Sequence, residues 1–525
     1  MNPSHEITPQ KSHEGPPKRP KTNIRRSVLS NWTSLVAEGV LSILITPFMI
    51  HHLGDFAFGI YTLAFSAVGY FDVLTQGIRS TLQRFVGRLS GATDRDALNS
   101  VFSTSLAVTI VLGAVIIAVF LGLSAVLPAF FKLKAAQQQL FAWLVILLGV
   151  NLGTGVPTAL LGSYLCGLNR FDLYNIVSVF RQALRTLLIW LVLLRGHGVI
   201  AVGVCVLIST LVSLPLSAWM IRRIDPEATF ATRLVSLRTA RELLVFSFWT
   251  LLNNAGQLLR DSTDSIVIGR VLNAALITPF TVGARLVTYI RPIITGLVSP
   301  LLPRMSRLDG EGRNHEMREI FINMTRLSAL VSLAIGAVLI LHGRTLLLLW
   351  VGPRYVSSYS ILILLTVGAV SSTAQLGTPL TLIAKNRHRA YGIWTIGEGL
   401  ANLILSVFWA HRYGIVGVAL GTAVPLLAVK LTLQPWYVTR VMRLSLIGYF
   451  VRALARPLAA CGLFIVICGM IGGFQANGSI SHLLLSLTWQ GALLLVLAYA
   501  IGLTSGDRKM IRSYLPDVAR LVRLS

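Results

Sequence analysis

Apolar and polar residues alternate along this chain in long blocks. Runs of about 20 mostly apolar residues recur from end to end, separated by short polar breaks, and each run is long enough to cross a bilayer as a helix. The pattern predicts about 14 spans, at roughly 30–50, 57–78, 99–127, 139–164, 172–194, 199–221, 243–268, 275–302, 319–341, 359–383, 390–411, 415–437, 456–474 and 483–503. The expected fold class is all-α, a polytopic membrane protein.

The spans fall into two sets when the chain is slid against itself by 217 residues. "NRFDLYNIVSVFRQALRTLL" then overlies "NRHRAYGIWTIGEGLANLIL", matching Asn169 to Asn386, Arg170 to Arg387, Tyr174 to Tyr391 and Ile176 to Ile393. Both segments run on to a Gly-rich turn, "RGHGVIAVGV" and "HRYGIVGVAL". Six spans return the chain to its starting side, so the repeats are expected as parallel lobes related by an axis along the membrane normal, with substrate bound between them. The expected organisation is a basic cytoplasmic tail (1–27), an N-terminal lobe (28–235), a C-terminal lobe (236–445), two extra spans (446–505) and a second basic tail (506–525).

Composition agrees with a membrane protein: of 525 residues, 54% are hydrophobic and 13% charged. The net charge of +26 would suggest nucleic acid in a soluble protein. Here most Lys and Arg lie in loops on the side of the N-terminus, which is the positive-inside pattern, so both termini are expected in the cytoplasm and nucleic acid is not expected as a partner. The tail "MNPSHEITPQKSHEGPPKRPKTNIRR" lacks an apolar signal-peptide core. Four cysteines, Cys166, Cys205, Cys461 and Cys468, lie in or beside spans without metal spacing and read as small core residues. The histidines are scattered at turns and span ends, so neither a metal site, a cofactor nor a catalytic constellation is expected, and the chain does not read as an enzyme.

Charge inside the spans is the functional signal. Glu38, Asp72, Arg181, Arg185, Arg260, Asp261, Asp264, Arg285, Arg291, Glu398 and Lys430 all fall there. An ionised group near a helix centre costs roughly 2.5–3.5 kcal/mol on insertion scales, so such residues face partners or a watery cavity. Arg260 and Asp264, four apart, can pair on one helical face, in a role that is equally structural or functional. Glu38, Asp72 and Lys430 lie toward the cytoplasmic ends and are expected to snorkel. The arginines Arg181, Arg185, Arg260, Arg285 and Arg291 outnumber the acids at comparable depth. Arg keeps its charge when desolvated and grips phosphate oxygens in a bidentate way, so the excess points to an anionic substrate.

In "ITPFMIHHLGDFAFGIYTLAFSAVGYFDVLTQGIRSTLQRFV", residues Leu53, Gly54, Gly59, Tyr61, Gly77 and Arg84 match the entry hairpin of a known family. "DSIVIGRVL" matches its seventh span around Asp264 and Gly269, and "NRHRAYGIWTIGEGLANLILSVFWAHRYGIVGVALGTA" its later hairpin. On these segments the sequence resembles the Wzx-like polysaccharide (O-antigen and exopolysaccharide) flippases of the multidrug/oligosaccharidyl-lipid/polysaccharide (MOP) superfamily. Two segments depart from the family pattern: Thr75 stands where relatives often carry Asp, and "ITPF" opens span 8. The resemblance implies a polyprenyl-pyrophosphate-linked oligosaccharide as substrate, moved across the bacterial cytoplasmic membrane by alternating access. It also implies a polysaccharide polymerase and other export proteins as partners, and ion coupling through Asp264, Asp261, Glu38, Asp72 or Glu398. A multidrug or small-solute antiporter of the same superfamily, and a membrane polysaccharide polymerase or ligase, are the competing readings. The first favours an acidic cavity and the second a large outer loop.

Overall fold

The computed structural model describes residues 24–89, 95–131, 133–387, 389–471 and 479–508; within these, the side chains of 24–29, 73, 74, 88, 136, 246–262 and 389 are not described. Every regular element among the described residues is helical. The first half contains α1 (Ile24–Gly69), α2 (Asp72–Leu89), α3 (Arg95–Phe130), α4 (Ala135–Gly167), α5 (Phe171–Leu194) and α6 (Val199–Ile224). The second contains α7 (Leu237–Val271), α8 (Ile277–Arg285), α9 (Ile290–Val298), α10 (Leu302–Gly310), α11 (Asn314–Val351), α12 (Tyr359–Ala374), α13 (Gly377–Ala384), α14 (Arg389–Ala428) and α15 (Gln434–Met442). Three more follow: α16 (Leu446–Phe450), α17 (Arg456–Met470) and α18 (Ile480–Leu497).

Ten described helical stretches are long and apolar enough to cross a membrane, or eleven if the bent pair Ala274–Arg285 and Val287–Gly310 is one span. The protein is therefore an all-α, multi-pass membrane protein. The sequence reading of fourteen spans divides two of these stretches, at Gly54 and Gly414, and adds α7, whose central side chains lie outside the described set. Gly54 (φ 73°) and Gly414 (φ 59°) occupy the left-handed region that a side chain disfavours, and each kinks a helix that otherwise reads as continuous.

At Gly414 the kink folds α14 back on itself. Asn402 faces Thr422, Ser406 faces Val418 and Trp409 faces Gly417, pairs that close symmetrically on the turn. Gly421 lets the arms meet: a Cβ built there would lie 2.5 Å from the Ser406 backbone nitrogen.

Span 8 is broken rather than straight. Its two parts bend by 43°, with 3₁₀ turns at Val287–Tyr289 and Ser299–Leu301 and prolines at 279, 292, 300 and 303. Proline removes a helical hydrogen bond and clashes with the preceding turn, which opens the helix at such points.

The 217-residue repeat reappears in backbone geometry. Asn169 (φ 58°) and Asn386 (φ 53°) both adopt the left-handed conformation at a helix end. In each, the Asn N–H donates to the carbonyl three residues back (Cys166 and Ile383) and the next Arg N–H to the carbonyl five back (Leu165 and Leu382). This is a Schellman cap in both places, and Asn tolerates its left-handed residue better than most side chains do.

In the first half α3 packs on α4, α4 on α6, and α5 on α1 and α6; in the second, α12 packs on α11 and α14, and α14 on α7. The halves meet where α2 lies on α7 and α1 on α8. A large apolar core that includes Ile60, Leu144, Ile277, Ile294, Phe321 and Val418 runs through both. A smaller cluster of Leu330, Ala337, Phe464, Cys468 and Leu497 fastens α17 and α18 to α11. All four cysteines are free and buried, as the sequence suggests.

Candidate functional site

Helical spacing places Glu38 and Ser42 on one face of α1, and Ser178, Arg181 and Arg185 on one face of α5. The two helices pack together, and Ser178 Oγ donates to Glu38 Oε1 at 2.5 Å. The bend in span 8 delivers Arg285 from the second half to the same place, where its guanidinium donates to Ser42 Oγ. Arg185 donates to Gln182 and lies within electrostatic range of Tyr61, Arg181, Arg285 and Glu38. Arg185 thus has two further guanidinium groups and one carboxylate within electrostatic range, and the buried Arg285 Nε has no acceptor among the described residues. The cluster bridges the two halves of the chain and keeps spare donor capacity for an anion.

Beside it, a cavity of about 490 Å³ is lined by Asn31, Arg79, Gln83, Ser163, Tyr174 and Arg181, among others. Its walls come from α1, α2, α4, α5 and α6, so it lies within the first half; the sequence reading expected the arginines to line a space between lobes. Arg79 escapes the sequence reading, because the apolar run of span 2 stops at residue 78 whereas the helix continues as α2. Asp72, at the start of α2, accepts from Thr75 Oγ1 at 3.1 Å and from Arg79 at 3.4 Å. It orders Arg79 at the cavity wall.

The second half holds its own polar network. Thr422 Oγ1 donates to Asp264 Oδ1 at 2.8 Å and accepts from Asn402 Nδ2 at 2.7 Å. The neighbouring Thr263 is hydrogen-bonded to Tyr70, in the turn between α1 and α2, at 2.7 Å. Arg260 and Asp261 lie outside the described side chains, and with them the expected Arg260–Asp264 pair. Arg291 is partly buried on α9, beyond the bend that carries Arg285. Glu398 pairs with Lys430 at 2.9 Å. Lys430 therefore does not snorkel: the hairpin of α14 turns it inward to a buried acid.

At the Gly54 kink, Asp55 ties the halves together. Arg354 Nη2 lies 2.5 Å from Asp55 Oδ2, Tyr355 OH donates to Asp55 Oδ1, and Thr278 Oγ1 donates to the Asp55 carbonyl at 2.6 Å. Close by, Trp350 Nε1 donates to the Ile43 carbonyl at 2.8 Å. Three histidines are held by hydrogen bonds: His52 and His411 bond carbonyls one turn back, and His342 bonds Gln490 of α18. Among the described residues, no group of three or more His, Cys, Asp or Glu could hold a metal ion.

Comparison with known proteins agrees with this architecture. The membrane protein EpsK of Bacillus subtilis (strain 168) is 23% identical over 456 residues, covering 84% of this chain and 88% of its own. A Shigella flexneri protein named as an O-antigen transporter is 19% identical over 398 residues, covering 75% and 92%. Among solved structures, an inward-facing multidrug resistance MATE family transporter of the MOP superfamily superposes with a TM-score of 0.70 at 16% identity, over 79% of this chain and 98% of that one. The lipid II flippase MurJ, in an inward closed conformation, also gives 0.70, at 13% identity, over 90% and 97%. The fold is that of the MOP superfamily, as the resemblance in sequence implies. The family described as polysaccharide biosynthesis protein matches residues 53–360, more than half the length, and the chain belongs to that family.

Proposed function

We propose that the chain is a flippase that moves a polyprenyl-pyrophosphate-linked oligosaccharide across the bacterial cytoplasmic membrane, with both termini in the cytoplasm. The observation that carries this reading is the gathering of Arg181 and Arg285 within electrostatic range of Arg185, with Glu38 the one carboxylate in that range. Three cations facing one anion leave a net positive site in a medium of low dielectric, and a diphosphate would neutralise it through charge-assisted hydrogen bonds. Asn31, Gln83 and Ser163 offer the adjoining cavity the amide and hydroxyl groups that sugar hydroxyls need. Its volume lies within the ~300–1,000 Å³ range of small-molecule sites. Family membership and the names of the relatives support a transport role in polysaccharide export.

In this reading the head group enters from the cytoplasm, and the lipid tail stays in the bilayer. The Asp55–Arg354 contact holds the opposite end shut. Binding of the diphosphate draws Arg285 of one half toward Arg181 and Arg185 of the other, and the halves rock to release the head group outside. A carboxylate among Asp264, Asp261, Glu38, Asp72 and Glu398 would supply any coupling to an ion gradient. A polysaccharide polymerase would receive the product.

The test is export by cells that carry Arg285→Ala or Arg181→Ala. Surface polysaccharide is expected to fall by tenfold or more, with the protein still present in the membrane at wild-type level. Unimpaired export in both variants would overturn the anion-site reading.

A further inference from the structure

The 217-residue shift also sets Trp219 over Trp436 and Arg223 over Arg440. The first pair stands near the end of α6, and the second on α15, which follows the π-helical turn Val429–Leu433. Burial keeps the same register in both places: Ser217 and Ile221 are buried, and so are Gln434 and Val438 at the matching positions. The tryptophans occupy the opposite face and are 54% and 42% exposed. Over each indole lies its arginine, Arg223 at 5.3 Å from the ring centre of Trp219 and Arg440 at 4.2 Å from that of Trp436. Neither guanidinium has a hydrogen-bond or ion-pair partner among the described residues. Asp225 and Glu227 follow Arg223 closely, but Arg95 holds both, each at 3.0 Å. Around Arg440 the sequence offers no acid at all between Glu398 and Asp507. Arg508 makes a useful contrast: it too stacks on an aromatic ring, Tyr499 at 4.3 Å, yet it donates to the carbonyls of Tyr499 and Ala500.

Tryptophan alone at a span end is ordinary, because its ring suits the membrane–water interface. That preference does not account for an uncommitted arginine stacked on it, nor for the same pair in both halves. One helical turn, about 6 Å, separates each Arg from its Trp and places the charge nearer the helix end. This is the vertical order of a phospholipid headgroup, with glycerol esters beside the indole and a phosphodiester at the guanidinium. A second exposed arginine, Arg222 or Arg443, lies close to each pair and favours a lipid of net negative charge over a zwitterionic one. We propose that each Trp–Arg pair holds the headgroup of one anionic phospholipid, in the leaflet at that end of the bundle, which is the cytoplasmic one in the topology proposed above. The stacked guanidinium keeps its plane fixed and its N–H edge free, so it grips phosphate oxygens without losing the ring. Two lipids, one per repeat, then hold the last helix of each repeat at the same depth.

Native mass spectrometry of the purified full chain in detergent, titrated with phosphatidylglycerol or with phosphatidylcholine of the same acyl chains, counts the lipids retained. Wild type is expected to keep two more molecules of phosphatidylglycerol than of phosphatidylcholine. Arg223→Gln and Arg440→Gln are each expected to lose one of the two, and the double variant both. These side chains are exposed, so all three variants are expected to melt within about 2 °C of wild type in phosphatidylcholine. Phosphatidylglycerol is expected to raise the wild-type melting temperature by about 2–4 °C over phosphatidylcholine and to leave that of the double variant unchanged. Equal retention of the two lipids by wild type overturns the proposal, as does a double variant that still keeps both extra molecules. A single variant that loses both would overturn the assignment of one lipid to each repeat. The same thermal rise with inorganic phosphate in place of lipid would assign the pairs to a free anion and sink the lipid reading. Neither transport nor sidedness enters these measurements, so they decide the lipid sites whichever way the export test falls.

Discussion

Asp55 is approached by Arg354, by Tyr355 and, through its carbonyl, by Thr278, all from the second half of the chain. Arg354 is 74% exposed, so solvent screens the pair and its contribution to stability is at most about 1 kcal/mol. Its effect belongs to the seam between halves. Asp55→Ala is expected to leave the melting temperature nearly unchanged while raising, several-fold, the thiol-reagent reactivity of a cysteine placed at buried Ala274. Unchanged reactivity would show that the contact does not hold the seam. The central arginines were legible in the sequence because charge within an apolar run has few structural explanations. Asp55 and Arg79 were not, since each lies in a stretch that reads as a turn or as the polar end of a span, where charge is ordinary. Glu398 was legible as a buried acid, but its partner depends on how α14 folds back.

The α14 hairpin shows what an element adds to its residues. Its arms touch at Gly421, where a Cβ would lie 2.3 Å from Ser406 Oγ, whereas a Cβ at Gly397 on the same helix meets nothing within 4 Å. Gly421→Val is therefore expected to destabilise the protein by about 1–3 kcal/mol and to loosen the Asn402–Thr422–Asp264 chain. Gly397→Ala is expected to be neutral or slightly stabilising. Thermal unfolding of the two variants in detergent checks the contrast, and equal losses would rule out the close approach as the cause. The turn itself was readable from "HRYGIVGVAL". The break in span 8 was not, because a membrane helix tolerates proline where neighbouring groups satisfy the freed backbone, and sequence alone does not reveal those neighbours. The π-helical turn at Lys430 escaped for a similar reason: apolar periodicity over five residues does not separate it from an α-helix.

On the scale of the whole molecule, the repeat was visible as four weak identities and is expressed as two matching helix caps, at Asn169 and Asn386. On the sequence reading the last two spans stand outside that repeat, and their attachment could not be read from apolar runs alone. Arg326 of α11 meets Asp507 at 2.5 Å and Thr504 at 2.9 Å, and donates twice to the Arg452 carbonyl; Arg326 and Asp507 are 5% and 2% exposed. Arg326→Met strands a buried carboxylate and is expected to cost about 3–5 kcal/mol, measured by thermal unfolding. A loss below about 1 kcal/mol would mean that the apolar contacts alone hold α17 and α18. A second polar contact, His342 to Gln490 at 2.6 Å, pins α18 to the same helix. Bound at two depths to α11, the terminal pair is a passenger of the second half rather than a hinge. Leu495 on α18 is 70% exposed and Leu121 on α3 is 52% exposed. Dyes at those two positions would work as a pointer and its scale, reporting the stroke of the proposed transport cycle from outside the arginine cluster and the hairpin alike.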